Sequence, residues 1–191
     1  MREWFTNCHP STSGQFERNE RSGKWVVWRA NKTMVEEGEY LAGQRHGSWT
    51  FYHEKGVRTQ AGTYQYGLRE GAWMEWFVNG KEWRTVNYKE DMRQDERAKD
   101  CHSSGGAWFV DYDVREEGCI KDKKRTGNWT GYGAEGHRKW VAAFEGSLPH
   151  GMWHDYHSDG ATLRVGQYVN GVPEGVHAFK GRSGERIGEA K

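Results

Sequence analysis

The chain has 191 residues, with 28 Lys plus Arg against 27 Asp plus Glu. That balance gives no basis for a general attraction to nucleic acid, which needs a basic surplus on one face, and no apolar run approaches the ~20 residues of a membrane-spanning helix. Only two Ile and four Leu are present, which excludes a thick aliphatic core; 11 Trp, 9 Tyr and 7 Phe can instead hold a thin sheet together, since each aromatic ring buries on the order of 150–250 Å².

In chain order, Met1–Pro10 has no basic stretch followed by an apolar one. No secretory signal is therefore expected, and a cytoplasmic location is the expectation, with export left open. Phe16 begins a half-copy of a repeat, seven residues before Gly23. Gly23-Lys24-Trp25, Gly47-Ser48-Trp49 and Gly71-Ala72-Trp73 then recur at steps of 24. Gly106-Ala107-Trp108, Gly127-Asn128-Trp129 and Gly151-Met152-Trp153 follow, spaced by 21 and 24, and a degenerate copy opens at Gly175 with His177 in place of Trp.

Other positions repeat with the same period. An aromatic stands three residues after the Trp at Trp28, Tyr52, Trp76, Tyr132 and Tyr156. Glycines recur at Gly56, Gly80, Gly136 and Gly160, and eight residues later Tyr64, Tyr88, Phe144 and Tyr168; Tyr40 holds that place in the first copy. A period near 24 is that of a solenoid or hairpin array. Asn79-Gly80 and Asp159-Gly160 suit two-residue type I′ turns, in which both central residues need φ > 0, and the flanks are rich in Trp, Tyr, Thr and Val. Each copy therefore reads as strand, tight turn, strand and a polar link such as residues 42–47. The expected fold is all-β: an elongated array of antiparallel hairpins over 1–191, forming one twisted sheet.

The step from Gly71 to Gly106 is 35 residues. Its surplus, Lys89–Ser104, is charged and poor in apolar residues, and reads as a solvated loop or short charged helix between two stacks. A partner-contacting excursion is the alternative.

The pattern Gly47, Trp49, Tyr52, Gly56, Gly62, Tyr64, Gly67, repeated as Gly151, Trp153, Tyr156, Gly160, Gly166, Tyr168, Gly171, resembles the variant MORN repeat over roughly residues 14–184. Bacterial proteins of this type are often described as antitoxin-like. The resemblance implies a twisted antiparallel sheet used as scaffold or binding surface, with no conserved catalytic residues.

Little else carries chemistry. Cys8-His9 and Cys101-His102 lack the spacing of zinc sites, His154 and His157 fall on opposite strand faces, and no metal or cofactor is expected. The histidines read as solvated surface groups. A Cys101–Cys119 bridge is compatible with the sequence but not deducible from it. No nucleophile elbow, phosphate loop or dinucleotide fingerprint occurs, so no enzymatic activity is expected. The acid pairs Glu36-Glu37 and Glu116-Glu117 read as solvated strand faces.

Residues at Trp and Trp+3 point to opposite faces of a strand. Both stripes can be core, as cross-strand aromatic ladders that hold a thin sheet together. In the functional alternative one stripe lines a binding groove, with Trp28, Tyr52, Trp76, Tyr132 and Tyr156 as its candidates, since large exposed aromatic patches mark contact sites. The expected function is non-catalytic protein binding, with a toxin or effector as partner, as in an immunity protein. Carbohydrate, cell-wall or lipid-headgroup binding is the alternative. Open sheet ends also allow a homodimer through a terminal hairpin.

Overall fold

The protein is described here by a computed structural model covering residues 2–4, 6, 8–112 and 114–190. The described residues form two compact units, divided between Asp95 and Glu96. Unit 1 is an antiparallel sheet of β1 (Arg2–Trp4), β2 (Pro10–Glu17), β3 (Glu20–Trp28), β4 (Met34–Leu41), β5 (Gln44–Tyr52), β6 (Arg58–Gln65), β7 (Leu68–Trp76), β8 (Glu82–Lys89) and β9 (Met92–Arg93). Unit 2 opens with α1 (Glu96–Ser103). Its sheet is β10 (Ala107–Asp111), β11 (Glu116–Lys121), β12 (Lys124–Tyr132), β13 (Arg138–Glu145), β14 (Leu148–Tyr156), β15 (Thr162–Val169), β16 (Val172–Lys180) and β17 (Arg186–Ala190). In both sheets every strand pairs with its neighbours in sequence.

The hairpin array is thus present, but as two sheets rather than the single sheet expected. The break has a local cause. The repeat runs on into the segment read as an insertion: Glu90 and Asp91 make a turn, and Arg93 pairs with Tyr88 as Arg69 pairs with Tyr64. Twenty-four residues beyond Gly71 and Trp73, however, stand Asp95 and Arg97. The strand loses the glycine that carries its bulge and the ring that anchors it, and the chain turns into α1. The short charged helix expected in this region is present.

The turns exchange roles relative to the sequence reading. At Asn79-Gly80 and Asp159-Gly160 only the glycine has positive φ, at 85° and 88°. These are five-residue loops: Phe77 N donates to Lys81 O at 2.9 Å and Gly80 N to Phe77 O at 2.9 Å, with the same pattern at His157–Ala161. The links read as polar connections are the true two-residue turns. Both central residues have φ > 0 at Arg18-Asn19, Ala42-Gly43, Tyr66-Gly67, Glu90-Asp91, Asp122-Lys123, Gly146-Ser147 and Asn170-Gly171, as type I′ requires. Successive tips are tied together: Gly43 N donates to Arg21 O, Gly67 N to Arg45 O and Asp91 N to Arg69 O at 2.8–3.0 Å.

The Gly-x-Trp motif makes a bulge. Between Glu37 and Glu39 the partner on β5 jumps from Thr50 to His46, with Gly47 at φ 68°. An L side chain rarely adopts that φ. The residue four before the Trp shares its face by strand alternation, and the bulge, which sets four residues of β5 against two of β4, draws it up beside the ring. Arg21, Arg45, Arg69 and Arg125 all occupy that place and lie over Trp25, Trp49, Trp73 and Trp129, at 4.7, 4.5, 6.0 and 4.4 Å from the ring centroids.

This face is the core. In unit 1 the rings form an edge-to-face chain, Phe16–Trp25–Tyr40–Trp49–Tyr64–Trp73–Tyr88, with centroids 5.1–6.0 Å apart, the geometry favoured by the ring quadrupole. Trp49, Trp73 and Trp129 are fully buried. Each lies flat on a glycine of the preceding strand: a Cβ on Gly38, Gly62 or Gly118 would overlap the indole. Each indole Nε1 also donates to a main-chain carbonyl ten residues back, Glu39 O, Thr63 O or Cys119 O.

Unit 2 shows what happens when the pattern is edited. Its chain runs Trp129–Phe144–Trp153–Tyr168–His177. His177 replaces indole by imidazole: its Nε2 lies 3.1 Å from Gln167 O, and its ring sits on Gly166. Ala142 stands where the other copies place the glycine. Trp153 accordingly tilts away, stacks on Trp140 at 5.3 Å and donates to Asp155 Oδ1. The fourth copy is one residue out of the register read from sequence. Phe109, not Trp108, pairs with its glycine, Gly118, as Trp49 pairs with Gly62. Phe109 also packs on Trp129, which leaves Trp108 on the opposite face.

Candidate functional site

The face opposite the core carries the row at Trp+3. Glu36 and Glu37 fix the assignment of faces. Glu36 accepts two bonds from Arg45 Nη2, at 2.9 and 2.7 Å, on the core side, whereas Glu37 Oε1 accepts from Tyr52 Oη at 2.8 Å on the other. Glu116 and Glu117 divide in the same way: Glu116 pairs with Arg125, and Glu117 Oε1 accepts from Tyr132 Oη at 2.8 Å. The acid pairs are therefore not solvated as expected, because each carboxylate is bonded to a ring hydroxyl or a guanidinium; Glu116 and Glu117 are buried. The two members of each pair point to opposite faces, so they share no substrate-sized space.

Trp28, Tyr52, Tyr132 and Tyr156 are half-buried, and Trp76 is buried. Trp76 lies under Arg58, whose guanidinium is 4.8 Å from the ring centroid. Arg138 lies in the same way over Tyr156 at 5.5 Å, and His154 stacks on Tyr156 from the side. In each unit the row is thus a ridge of aromatic faces interleaved with arginine. Strand alternation along β5 and β7 places Thr50 and Met74 beside the ridge, with Ala61 between them.

Electrostatics fixes the ring hydroxyl of Tyr52. Burial, reinforced by the Glu37 carboxylate, pushes its ionisation up to about 12. The hydrogen bond from Tyr52 holds Glu37 below the usual carboxylate range, against a smaller desolvation effect, with Lys24 at 3.2 Å adding to it. Tyr52 is therefore a neutral donor at every physiological pH. The ridge offers stacking faces, guanidinium donors and a few fixed carboxylates.

In unit 2 the same face carries α1. Arg97 donates to Asn128 O at 2.8 Å and Thr130 Oγ1 at 3.3 Å, and lies over Trp108. Trp108 Nε1 donates to Glu117 Oε2 at 3.2 Å. Cys101 and Cys119 form a disulfide, leaving Cys8 as an exposed free thiol. A cavity of about 240 Å³ lies at this junction, lined by Arg97, Cys101, Trp108, Cys119 and Asn128 among others.

Sequence reasoning missed Arg58, Arg138 and Trp108 as members of this face. A repeat-aligned reading that included Arg at the second-strand start would have found the first two. Trp108 was hidden because its Gly106-x-Trp spacing mimics the core motif. The histidines also divide: His53 and His177 are buried rather than solvated. Among the described residues no group of three or more His, Cys, Asp or Glu side chains could hold a metal ion, and no helix is long and apolar enough to cross a membrane.

Fold and face together define an all-β hairpin-repeat protein whose sheets bury one aromatic row and present another. No protein-family model matches the chain, and no curated protein matches it in sequence.

Proposed function

We propose that the chain is a non-catalytic module that binds a protein partner through the Trp+3 ridge. One observation carries this reading: Tyr52, Tyr132 and Tyr156 are held half-exposed on a hydrogen-bonded sheet, with Arg138 and its counterpart Arg58 set between successive rings. Tyr, Trp and Arg are the residues that dominate interface energetics, and rings fixed before binding lose little entropy on association. The repeat's likeness to variant MORN proteins favours a cytoplasmic toxin or effector as the partner, neutralised by occlusion.

The test is co-purification of the tagged chain with products of neighbouring genes, followed by titration of the purified partner. Tyr52→Ala and Tyr156→Ala should each weaken binding at least about tenfold, the scale of an interface hot spot, with an unchanged far-UV spectrum. Binding unaffected by both substitutions overturns the reading. Quenching of Trp fluorescence by oligosaccharide at millimolar concentration, or flotation with anionic vesicles, would replace it by carbohydrate or lipid-headgroup binding.

A further inference from the structure

α1 is a helix that its own sequence supports poorly. It has eight residues, Glu96–Ser103, and isolated helices shorter than ~12–15 residues are marginal in water. Its second half, Asp100-Cys101-His102-Ser103, is made of residues ranked well below Ala in helix propensity. Its buried side chains are Ala98 and Cys101. Against this stands a covalent bond: Cys101 is joined to Cys119 on β11, with the two Cα atoms 5.6 Å apart.

The surroundings are shaped to the bond. A Cβ on Gly106 would stand 2.6 Å from Cys119 Sγ and 2.9 Å from Cys101 Sγ, so only glycine leaves room for the bridge there. Gly106 N also donates to Cys101 O at 2.9 Å, closing the helix end. Both sulfurs are buried, yet both cysteines line the cavity beside α1, whose rim includes the exposed residues Asp100, Ser104 and Asn128. A small thiolate can approach the bond by that route.

We propose that Cys101–Cys119 is a redox latch that holds α1 over β10–β12. A dithiol or two monothiols supply two electrons and two protons. The S–S bond breaks, Cys101 and Cys119 become thiols, and the reductant leaves as its disulfide. Without the tether the eight-residue helix frays from the sheet. Arg97 withdraws from Asn128 O and Thr130 Oγ1, and the Trp108 ring is uncovered beside Glu117 and Tyr132. Oxidation reverses each step. The latch stands whether or not the aromatic ridge binds a partner, because it concerns only how α1 is held.

The test is amide hydrogen exchange on the full chain carrying Cys8→Ser, so that any thiol detected comes from the bridge. Addition of a dithiol without denaturant should release two thiols and raise exchange across 97–105 at least about tenfold, while β13–β16 keep their slow exchange, as for a local opening. Cys119→Ser and Gly106→Ala should show the open pattern without reductant; the reduced wild-type chain serves if either variant fails to fold. A bridge that resists the dithiol under native conditions overturns the latch. So does reduction that leaves α1 protected, or that loosens β12–β16 as much as α1.

Discussion

Tyr52 Oη donates to Glu37 Oε1 at 2.8 Å, and eighty residues on Tyr132 Oη donates to Glu117 Oε1 at the same distance. One bond thus recurs in both units, across strands that pair in the same register. It locks the outward ring against a carboxylate that a second group also holds, Lys24 at Glu37 and the Trp108 indole at Glu117.

The bond makes stability depend on pH at both ends. Glu37 titrates below its ordinary value of 4.5 in the folded chain, so its contribution is present above that value and is lost as pH falls through the depressed one. Tyr52 is raised to about 12, so its contribution is present below its ordinary range and is lost as pH rises through that value. Tyr52→Phe should cost about 1 kcal/mol at neutral pH, the net worth of one hydrogen bond. It should also flatten the acid limb of urea-midpoint against pH. An unchanged limb would mean that the bond does not form in solution.

Gly62→Ala should destabilise unit 1 by about 1–3 kcal/mol, the usual cost of overpacking. The added Cβ would overlap the fully buried Trp73 indole. Ala142, with its displaced Trp153, already displays the consequence. Near-UV circular dichroism should show a changed Trp environment, and denaturant titration should give the loss. Gly56→Ala meets nothing within 4 Å; it reports the cost of positive φ alone and should be the milder substitution.

Arg45 spans Trp49, Phe51 and Tyr64, at 4.5, 5.2 and 5.5 Å from their centroids, while its Nη2 bonds both oxygens of Glu36. Arg45→Ala should cost about 2 kcal/mol through lost stacking and an unpaired, largely buried carboxylate. Arg45→Lys should recover less than half, because an ammonium cannot stack and bind together as a planar fork does. Full rescue by Lys in a thermal melt would assign the effect to charge alone.

His177→Trp should stabilise unit 2 by about 1 kcal/mol, from added apolar burial. His177 sits on Gly166 with its Nε2 already facing Gln167 O, the arrangement that Trp49 and Trp73 have with Gly38 and Gly62. A lower melting temperature would show that the terminal copy has no space for an indole.

Much of the architecture is legible from residue types alone. The spacing of Trp25, Trp49 and Trp73 encodes hairpins of a single length, and the alternation between Trp49 and Tyr52 assigns them to opposite faces. Which of the two rows is buried was not legible there; strand pairing decides it, by laying Trp49 and Trp73 on Gly38 and Gly62. What misled were positions where composition and register disagree. Asn79-Gly80 has the composition of a two-residue turn, yet that turn falls at Ala42-Gly43 and its equivalents, because backbone hydrogen bonds decide which residues take positive φ. Gly106-Ala107-Trp108 has the motif, but strand pairing puts Phe109, not Trp108, on the core face. The Glu36-Glu37 pair looked solvated because neither Arg45 nor Tyr52 is its neighbour in sequence.

By itself, the sequence determined the period, the strand alternation and the existence of two aromatic rows, because these follow from residue types that recur every 24 positions and from the two-residue period of a strand. The tertiary structure alone decided that the array divides at Asp95, that α1 lies on the outward face of unit 2 bound through Cys101–Cys119, and that Arg58 and Arg138 sit over rings of the next hairpin. The reason is physical. A repeating pattern dictates pairing only while the pattern lasts; where it lapses, packing between strands selects the partner.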